Sequence, residues 1–127
     1  MIVGVVDSTV IVHLFRRNTL ALTWYSSLTQ PLAVTPFTWM EIIYGAGSKL
    51  NQTRCKAILD QFDMEYLTST DMDWAMRQLE RYRLSHGAGM NDCLIASVCN
   101  RLQVPLYTHN FKDMQPLIGT SLAVKPY

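Results

Sequence analysis

Short, continuous apolar runs alternate along this chain with longer stretches in which apolar residues return every three or four positions. Ile2-Val3-Gly4-Val5-Val6 is β-branched and ends at Asp7, which predicts a strand buried on both faces of a parallel sheet. Leu32-Ala33-Val34, Met64-Glu65-Tyr66-Leu67, Val104-Pro105-Leu106-Tyr107-Thr108 and Leu122-Ala123-Val124 are the further strand candidates. Helical spacing fills the intervals. Val10, Ile11 and Leu14 share one face; Leu20, Trp24 and Leu28 share another, with Asn18 as the cap between them. Thr35-Pro36 reads as an N-cap followed by proline at the first helical position, and that helix runs through Phe37, Met40, Ile43 and Tyr44 to Gly45 and Gly47. Asn51 is placed to cap a helix striped by Cys55, Ile58, Leu59 and Phe62. Thr70-x-x-Asp73 resembles a capping box ahead of Met72, Ala75, Met76, Leu79 and Tyr82. After the break at Gly87-Ala88-Gly89, Asn91-Asp92 opens a helix with Ile95, Val98 and Leu102 on its stripe. Strands alternating with helices predict an α/β domain with a mostly parallel sheet.

Composition narrows this picture. A length of 127 residues suits one domain spanning residues 1–127, and 49% hydrophobic residues suffice for one sizeable core. Charged residues are 17%, against about 25% in an ordinary soluble domain, which excludes a disordered chain. Eleven Lys and Arg against ten Asp and Glu leave a formal charge of +1, which gives no support to a basic nucleic-acid coat. Asp7, His13 and Arg16 interrupt the apolar runs before the roughly 20 residues a membrane span needs. The opening residues carry no basic segment or cleavage pattern of a signal peptide, so a cytoplasmic protein is expected. Cys55, Cys93 and Cys99 are odd in number and match neither zinc nor redox spacing; free, mostly buried thiols are expected.

The placement of the acids matters more than their number. Ligands of open parallel sheets bind at the carboxyl ends of the strands. Asp7 ends the first strand, Glu41 lies on the helix after the second, and Asp92 opens the helix before the fourth. Asn110 and Asp113 follow the fourth strand. Each has an ordinary reading as well: a capping turn at Asp7-Ser8-Thr9, a solvent-facing helix position at Glu41, an N-cap at Asn91-Asp92, turn and cap at Asn110 and Asp113. Joint placement at one sheet edge favours function. Several anions in one pocket need a neutralising partner, and hard oxygen ligands select Mg²⁺ or Mn²⁺. Such ions lower the pKa of water and stabilise charge on a phosphate.

On these residues the whole chain resembles PIN-domain ribonucleases, and within them VapC-type toxins. Val5-Val6-Asp7-Ser8-Thr9-Val10-Ile11 resembles the opening strand with its first acid and neighbouring hydroxyl. Leu32-Ala33-Val34-Thr35 through Glu41-Ile42-Ile43-Tyr44-Gly45 resembles the second strand and second acid. Asp92-Cys93-Leu94-Ile95-Ala96-Ser97 resembles the third acid and its helix. Leu106-Tyr107-Thr108-His109-Asn110-Phe111-Lys112-Asp113-Met114 resembles the closing strand and turn, with His109 where the pattern often has Arg. The resemblance implies a three-layer α/β/α domain with strand order 3-2-1-4-5. It also implies an endoribonuclease that cuts RNA with metal-activated water, acting as the toxin of a type II toxin–antitoxin pair. Asp7, Glu41 and Asp92 would bind Mg²⁺ or Mn²⁺, and Asn110 or Asp113 would complete the site. Ser8 and Thr9 would make supporting contacts. Arg16, Arg17, His109 and Lys112 are candidate RNA contacts, with a solvated helix face as the competing reading for the charged ones. A homodimer and a cognate antitoxin are the implied partners, the antitoxin lying over the site in a groove to which Phe15, Leu20, Trp24 and Tyr25 contribute.

Other classes fit less well. An aspartyl-nucleophile phosphohydrolase needs a second acid two residues after the first, where this chain has Thr9. A phosphoreceiver needs an acidic pair and a late lysine that His109-Asn110 does not supply. A catalytically impaired PIN-like module kept for binding is the alternative, and Asn110 is the residue that raises it.

Overall fold

The computed structural model describes residues 1–127 as a three-layer α/β/α domain. In chain order the elements are β1 (Val5–Val6), α1 (Ser8–Phe15), α2 (Thr19–Ser26), β2 (Ala33–Val34), α3 (Pro36–Tyr44), α4 (Lys49–Leu59) and β3 (Asp63–Met64). There follow α5 (Ser69–His86), α6 (Met90–Leu102), β4 (Leu106–Tyr107), α7 (Phe111–Ile118) and β5 (Ala123–Val124). The five strands form one sheet, ordered β3-β2-β1-β4-β5 and parallel at every pairing. The order is the expected one and puts Asp7 at the end of the central strand. Each strand is two residues long, shorter than the run that predicted it, and the third lies earlier than the expected residues 64–67, because Asp63 and Met64 are the residues that pair with Ala33 and Val34.

Successive residues of a strand face opposite ways, and β1 shows the consequence. Val5 joins a core made with α5, α6 and α7, around Ile95, Val98, Leu106 and Met114. Val6 joins a second core made with α1 to α4, around Val10, Ile11, Ile42 and Leu59. Both valines are fully buried, worth about 1.5–3 kcal/mol each. Gly4 precedes them because a Cβ there would lie 2.7 Å from the Tyr107 ring on β4. All three cysteines are free and buried. No helix is long and apolar enough to cross a membrane.

Several helix starts differ from the sequence reading. Thr35 does cap α3, with Pro36 at the start and Gly45 at the end, and Asn18 caps α2 through Ala21 N–H at 3.0 Å. Ser48, not Asn51, caps α4, and its hydroxyl accepts from Asn51 N–H at 3.1 Å. The capping box ahead of α5 is Thr68 with Asp71, two residues earlier than Thr70 with Asp73. That register wins because Asp71 also bonds Arg101, and it turns Ala75 inward while leaving Met72 and Met76 exposed. α6 begins at Met90 after Gly89, without a side-chain cap, so Asp92 lies in the first turn and not at the cap. Its carboxylate is therefore free of the capping role.

Candidate active site

Asp7 is both the end of β1 and the N-cap of α1. Its carboxylate is 3% exposed and held from two sides. Ser8 N–H donates to Oδ1 at 2.8 Å, and Thr108 Oγ1 donates to Oδ2 at 2.7 Å. Thr108 follows β4, beside β1 in the sheet, and its hydroxyl accepts in turn from Asn110 N–H at 2.9 Å. Every partner of Asp7 is neutral. Burial pushes its pKa up, the Thr108 and Ser8 bonds pull it down, and Glu41 pushes it up further.

Glu41 reaches the same edge from α3. Ser8 Oγ donates to Glu41 Oε1 at 2.7 Å, so one residue binds Asp7 through its backbone and Glu41 through its side chain. Asp92, half-buried in the first turn of α6, has its pKa pushed up to about 6. Burial is the largest cause, followed by the charges of Asp7, Asp113 and Glu41. Asp7 after β1, Glu41 on α3 and Asp113 on α7 therefore all lie within electrostatic reach of Asp92 on α6. None forms an ion pair: both salt bridges of the chain use Arg101.

The donor set is all hard carboxylate oxygen, the chemistry of Mg²⁺ or Mn²⁺. No three His, Cys, Asp or Glu side chains converge closely enough to enclose an ion by themselves. These two facts agree for Mg²⁺, which is held by one or two carboxylates and keeps several waters. The residues present fit such an ion and do not fit a cage of protein ligands, as a structural zinc would need.

The remaining candidates divide. Asp113 stands in the first turn of α7 and is felt by Asp92. Asn110 is the α7 N-cap residue, but its side chain makes no capping bond and its backbone N–H serves Thr108. Thr9 Oγ1 accepts from His109 N–H at 3.2 Å and ties the turn after β4 to α1. The His109 ring packs between His13 and Tyr127, with centroids at 4.8 and 4.6 Å, and its Nε2 is buried without a partner. Burial, then His13 and Lys125, lowers its pKa, which keeps the ring neutral at physiological pH. Arg16 shares the wall of a cavity of about 240 Å³ with Glu41, Arg17 lines a separate groove, and Lys112 is exposed beside Asp113.

That separate groove, about 740 Å³, lies between α1, α2 and α4 and is lined by Leu14, Phe15, Leu22, Tyr25 and Ile58 among others. It contains none of the four acids, so it does not lie over the site as expected; of the residues named for that groove, Phe15 and Tyr25 are in it. Trp24 is not: its ring packs on Tyr107 and Tyr127 at 5.6 and 5.9 Å, and Leu20 stays exposed. Both corrections follow from α2 being short, with only Ala21 fully buried, so its aromatic residues divide between core and groove. Thr108 is the site residue that sequence reasoning overlooked. A threonine ending a strand beside the strand of Asp7 was its only signal.

The PIN domain family matches residues 4–112. No curated protein matches. Among solved structures, the chain is similar to one in a toxin-antitoxin complex from Klebsiella pneumoniae, at 23% identity and TM-score 0.75 over 98% of both chains. It is also similar to one in VapBC-1 from nontypeable Haemophilus influenzae, at 26% identity and TM-score 0.71 over 91% of this chain and 92% of that one. A third likeness is to VapBC2 from Rickettsia felis bound to a DNA fragment from their promoter, at 23% identity and TM-score 0.67 over 93% and 96%.

Proposed function

The chain belongs to the PIN domain family, and from that premise we propose that it is a metal-dependent endoribonuclease, the toxin of a type II toxin–antitoxin pair in the cytoplasm. The observation that carries the reading is that Asp7, Glu41 and Asp113 all lie within electrostatic reach of Asp92, and none of the four acids is in a salt bridge. Such a cluster costs stability unless a cation joins it. A bound Mg²⁺ or Mn²⁺ supplies a water of lowered pKa and stabilises charge on the scissile phosphate. Asp7, Glu41 and Asp92 would share it, directly or through its waters, with Asp113 adding negative charge. Thr108 and Ser8 fix the Asp7 carboxylate from opposite sides, and Ser8 orients Glu41. No protein nucleophile is needed.

The apolar groove between α1, α2 and α4 supports an antitoxin partner, because Phe15, Leu22 and Tyr25 offer an apolar seat. Exposed Met40 and Tyr44 on α3 leave apolar surface for a homodimer. The second reading, an impaired PIN module kept for binding, draws on the lack of three convergent protein ligands.

One assay decides between them. Purified protein with Mg²⁺ should cleave structured RNA, and EDTA should stop it. Folded Asp7→Asn protein should lose about 100-fold or more, as expected for a member of a cooperating set. Full cleavage by that variant overturns the assignment.

A further inference from the structure

The acid cluster that would act on RNA repels RNA, so binding must come from elsewhere on the surface. The four acids offer a phosphodiester nothing but like charge until a cation is present. Binding energy realised away from the reacting centre can hold the strand there. Two segments of the near-neutral chain are locally basic: α4, with Lys49, Arg54 and Lys56 but no aromatic residue, and a second in which Tyr82 and His86 stand among the arginines and which leads to Asp92. From Met76 to Asn91 the second carries Arg77, Arg81 and Arg83 against the single acid Glu80. This segment is the second half of α5 and the loop leading to Asp92.

Its side chains form an ordered surface. The Arg81 guanidinium lies 5.3 Å from the Tyr82 ring centroid. The His86 ring stands edge-on to the same ring at 5.3 Å. Arg77, Arg81 and His86 are exposed, and Tyr82 is anchored against the α5–α6–α7 core. Arg83 acts on the loop instead. Its Nη1 donates to Gly87 O and Ala88 O at 3.3 and 3.2 Å and clamps the turn. Gly87, at φ 68°, makes that turn, and a Cβ on Gly89 would lie 3.7 Å from Asp92 Oδ2. The surface is thus fixed in relation to an acid of the site. Leu84 and Met90 flank the loop, 98% and 69% exposed, with no intramolecular apolar partner to cover them.

Unpaired bases stack on aromatic rings and guanidinium planes, while Lys and Arg follow the backbone phosphates. Six peptide steps separate His86 from Asp92, at most about 21 Å fully extended. A single strand bound over roughly 4–16 nucleotides covers that distance. Resting on the ribonuclease reading above, we propose that Arg77, Arg81, Tyr82 and His86 form a docking surface for an unpaired segment of the RNA, and that the strand runs from it to the acids.

The test measures affinity of Asp7→Asn protein for an unstructured oligoribonucleotide of about 12 nucleotides across a salt series. Asp7→Asn keeps the RNA intact. Adding Arg77→Ala and Arg81→Ala should weaken binding and flatten the slope of log K against log salt by about 1.4, or about 0.7 for each lost phosphate contact. His86→Ala should weaken binding severalfold with the slope unchanged. Lys49→Ala with Lys56→Ala on α4 removes the same charge and should leave the slope as it was. A slope unchanged by the arginine pair, in protein whose Asp7 form cleaves RNA, overturns the docking surface alone. An equal loss from the lysine pair overturns it too, since net charge would then explain the binding. Unchanged RNA binding with an altered mass by light scattering overturns it in favour of a protein interface. An Asp7 form that neither binds nor cleaves RNA removes the ribonuclease reading and this inference with it.

Discussion

Asp7 and Asp71 are both 3% exposed, both sit at the start of a helix, and both accept a backbone N–H there. They differ in what stands opposite. Arg101 Nε donates to both oxygens of Asp71 at 2.9 and 3.1 Å, and Arg101 also meets Glu65 at 3.6 Å and Tyr66 O at 3.3 Å. Asp71 is neutralised within the fold and ties α5 to α6. Asp7 meets only neutral donors, and the nearest charges are further carboxylates. Arg101 pairs closely with Asp71, whereas no basic side chain forms a salt bridge with Asp7, Glu41, Asp92 or Asp113. The contrast separates an acid that holds the fold from acids that await an ion.

The sharpest way to break this contrast is to remove its structural half. Arg101→Ala leaves Asp71 buried with its charge uncompensated. It should lower stability by about 3 kcal/mol, the low end of the range for a broken buried pair because Arg101 is partly exposed. Denaturant unfolding at pH 7 measures it. Cleavage at a temperature where the variant stays folded should be nearly unchanged. A large loss of cleavage there would mean that Asp71 and Arg101 belong to the site.

The next prediction concerns the neutral donors. Thr108→Val removes the Asp7 Oδ2 donor and orphans Asn110 N–H. It should cost about 2 kcal/mol, the usual penalty for stranded buried polar groups. Unlike Arg101→Ala it should also reduce cleavage, because Asp7 is no longer held in place. Normal cleavage by folded Thr108→Val protein would mean that the Ser8 bond suffices.

Different parts of this arrangement were legible in the sequence to different degrees. Sheet order came from the family resemblance, while the parallel sheet was readable from β-branched runs such as Val5-Val6, because burial on both faces leaves no polar alternation. Asp7 was readable because an acid ending such a run is costly to place. Helix starts were misread where a distant residue decides the register. Thr68 and Asp71 outcompete Thr70 and Asp73 because Arg101, thirty residues on, fixes Asp71. Thr108 was invisible as a site residue because its value is a bond to a residue 101 positions away. The surface of Arg81, Tyr82 and His86 was hidden for a related reason: in the sequence it is a polar helix face, and the contacts of the guanidinium and the imidazole with the Tyr82 ring show only in the fold.

The smallest effect is the most telling, because it should have the opposite sign. The Asp92 pKa is raised from 3.8 to about 6 in the folded protein. A carboxyl raised on folding adds stability that is fully present below its unfolded pKa and is lost as pH rises through the folded one. Asp92 should therefore weaken the metal-free protein progressively between about pH 4 and pH 6 and remain unfavourable above that. Asp92→Asn removes the charge that Asp7, Asp113 and Glu41 oppose. In EDTA at pH 7.5 it should raise Tm by about 4 °C, equivalent to about 1 kcal/mol once the half-exposure of the side chain is allowed for. At pH 4 the two proteins should melt together. Millimolar Mg²⁺ should narrow the gap at pH 7.5 by stabilising the Asp92 protein, since a ligand of the folded state raises its stability by mass action. Asp71→Asn should do the reverse, lowering Tm, because a neutral amide at that position would leave Arg101 without its anion. If Asp92→Asn lowers Tm at pH 7.5 in EDTA, Asp92 is a structural acid like Asp71, and the distinction between the two regions fails.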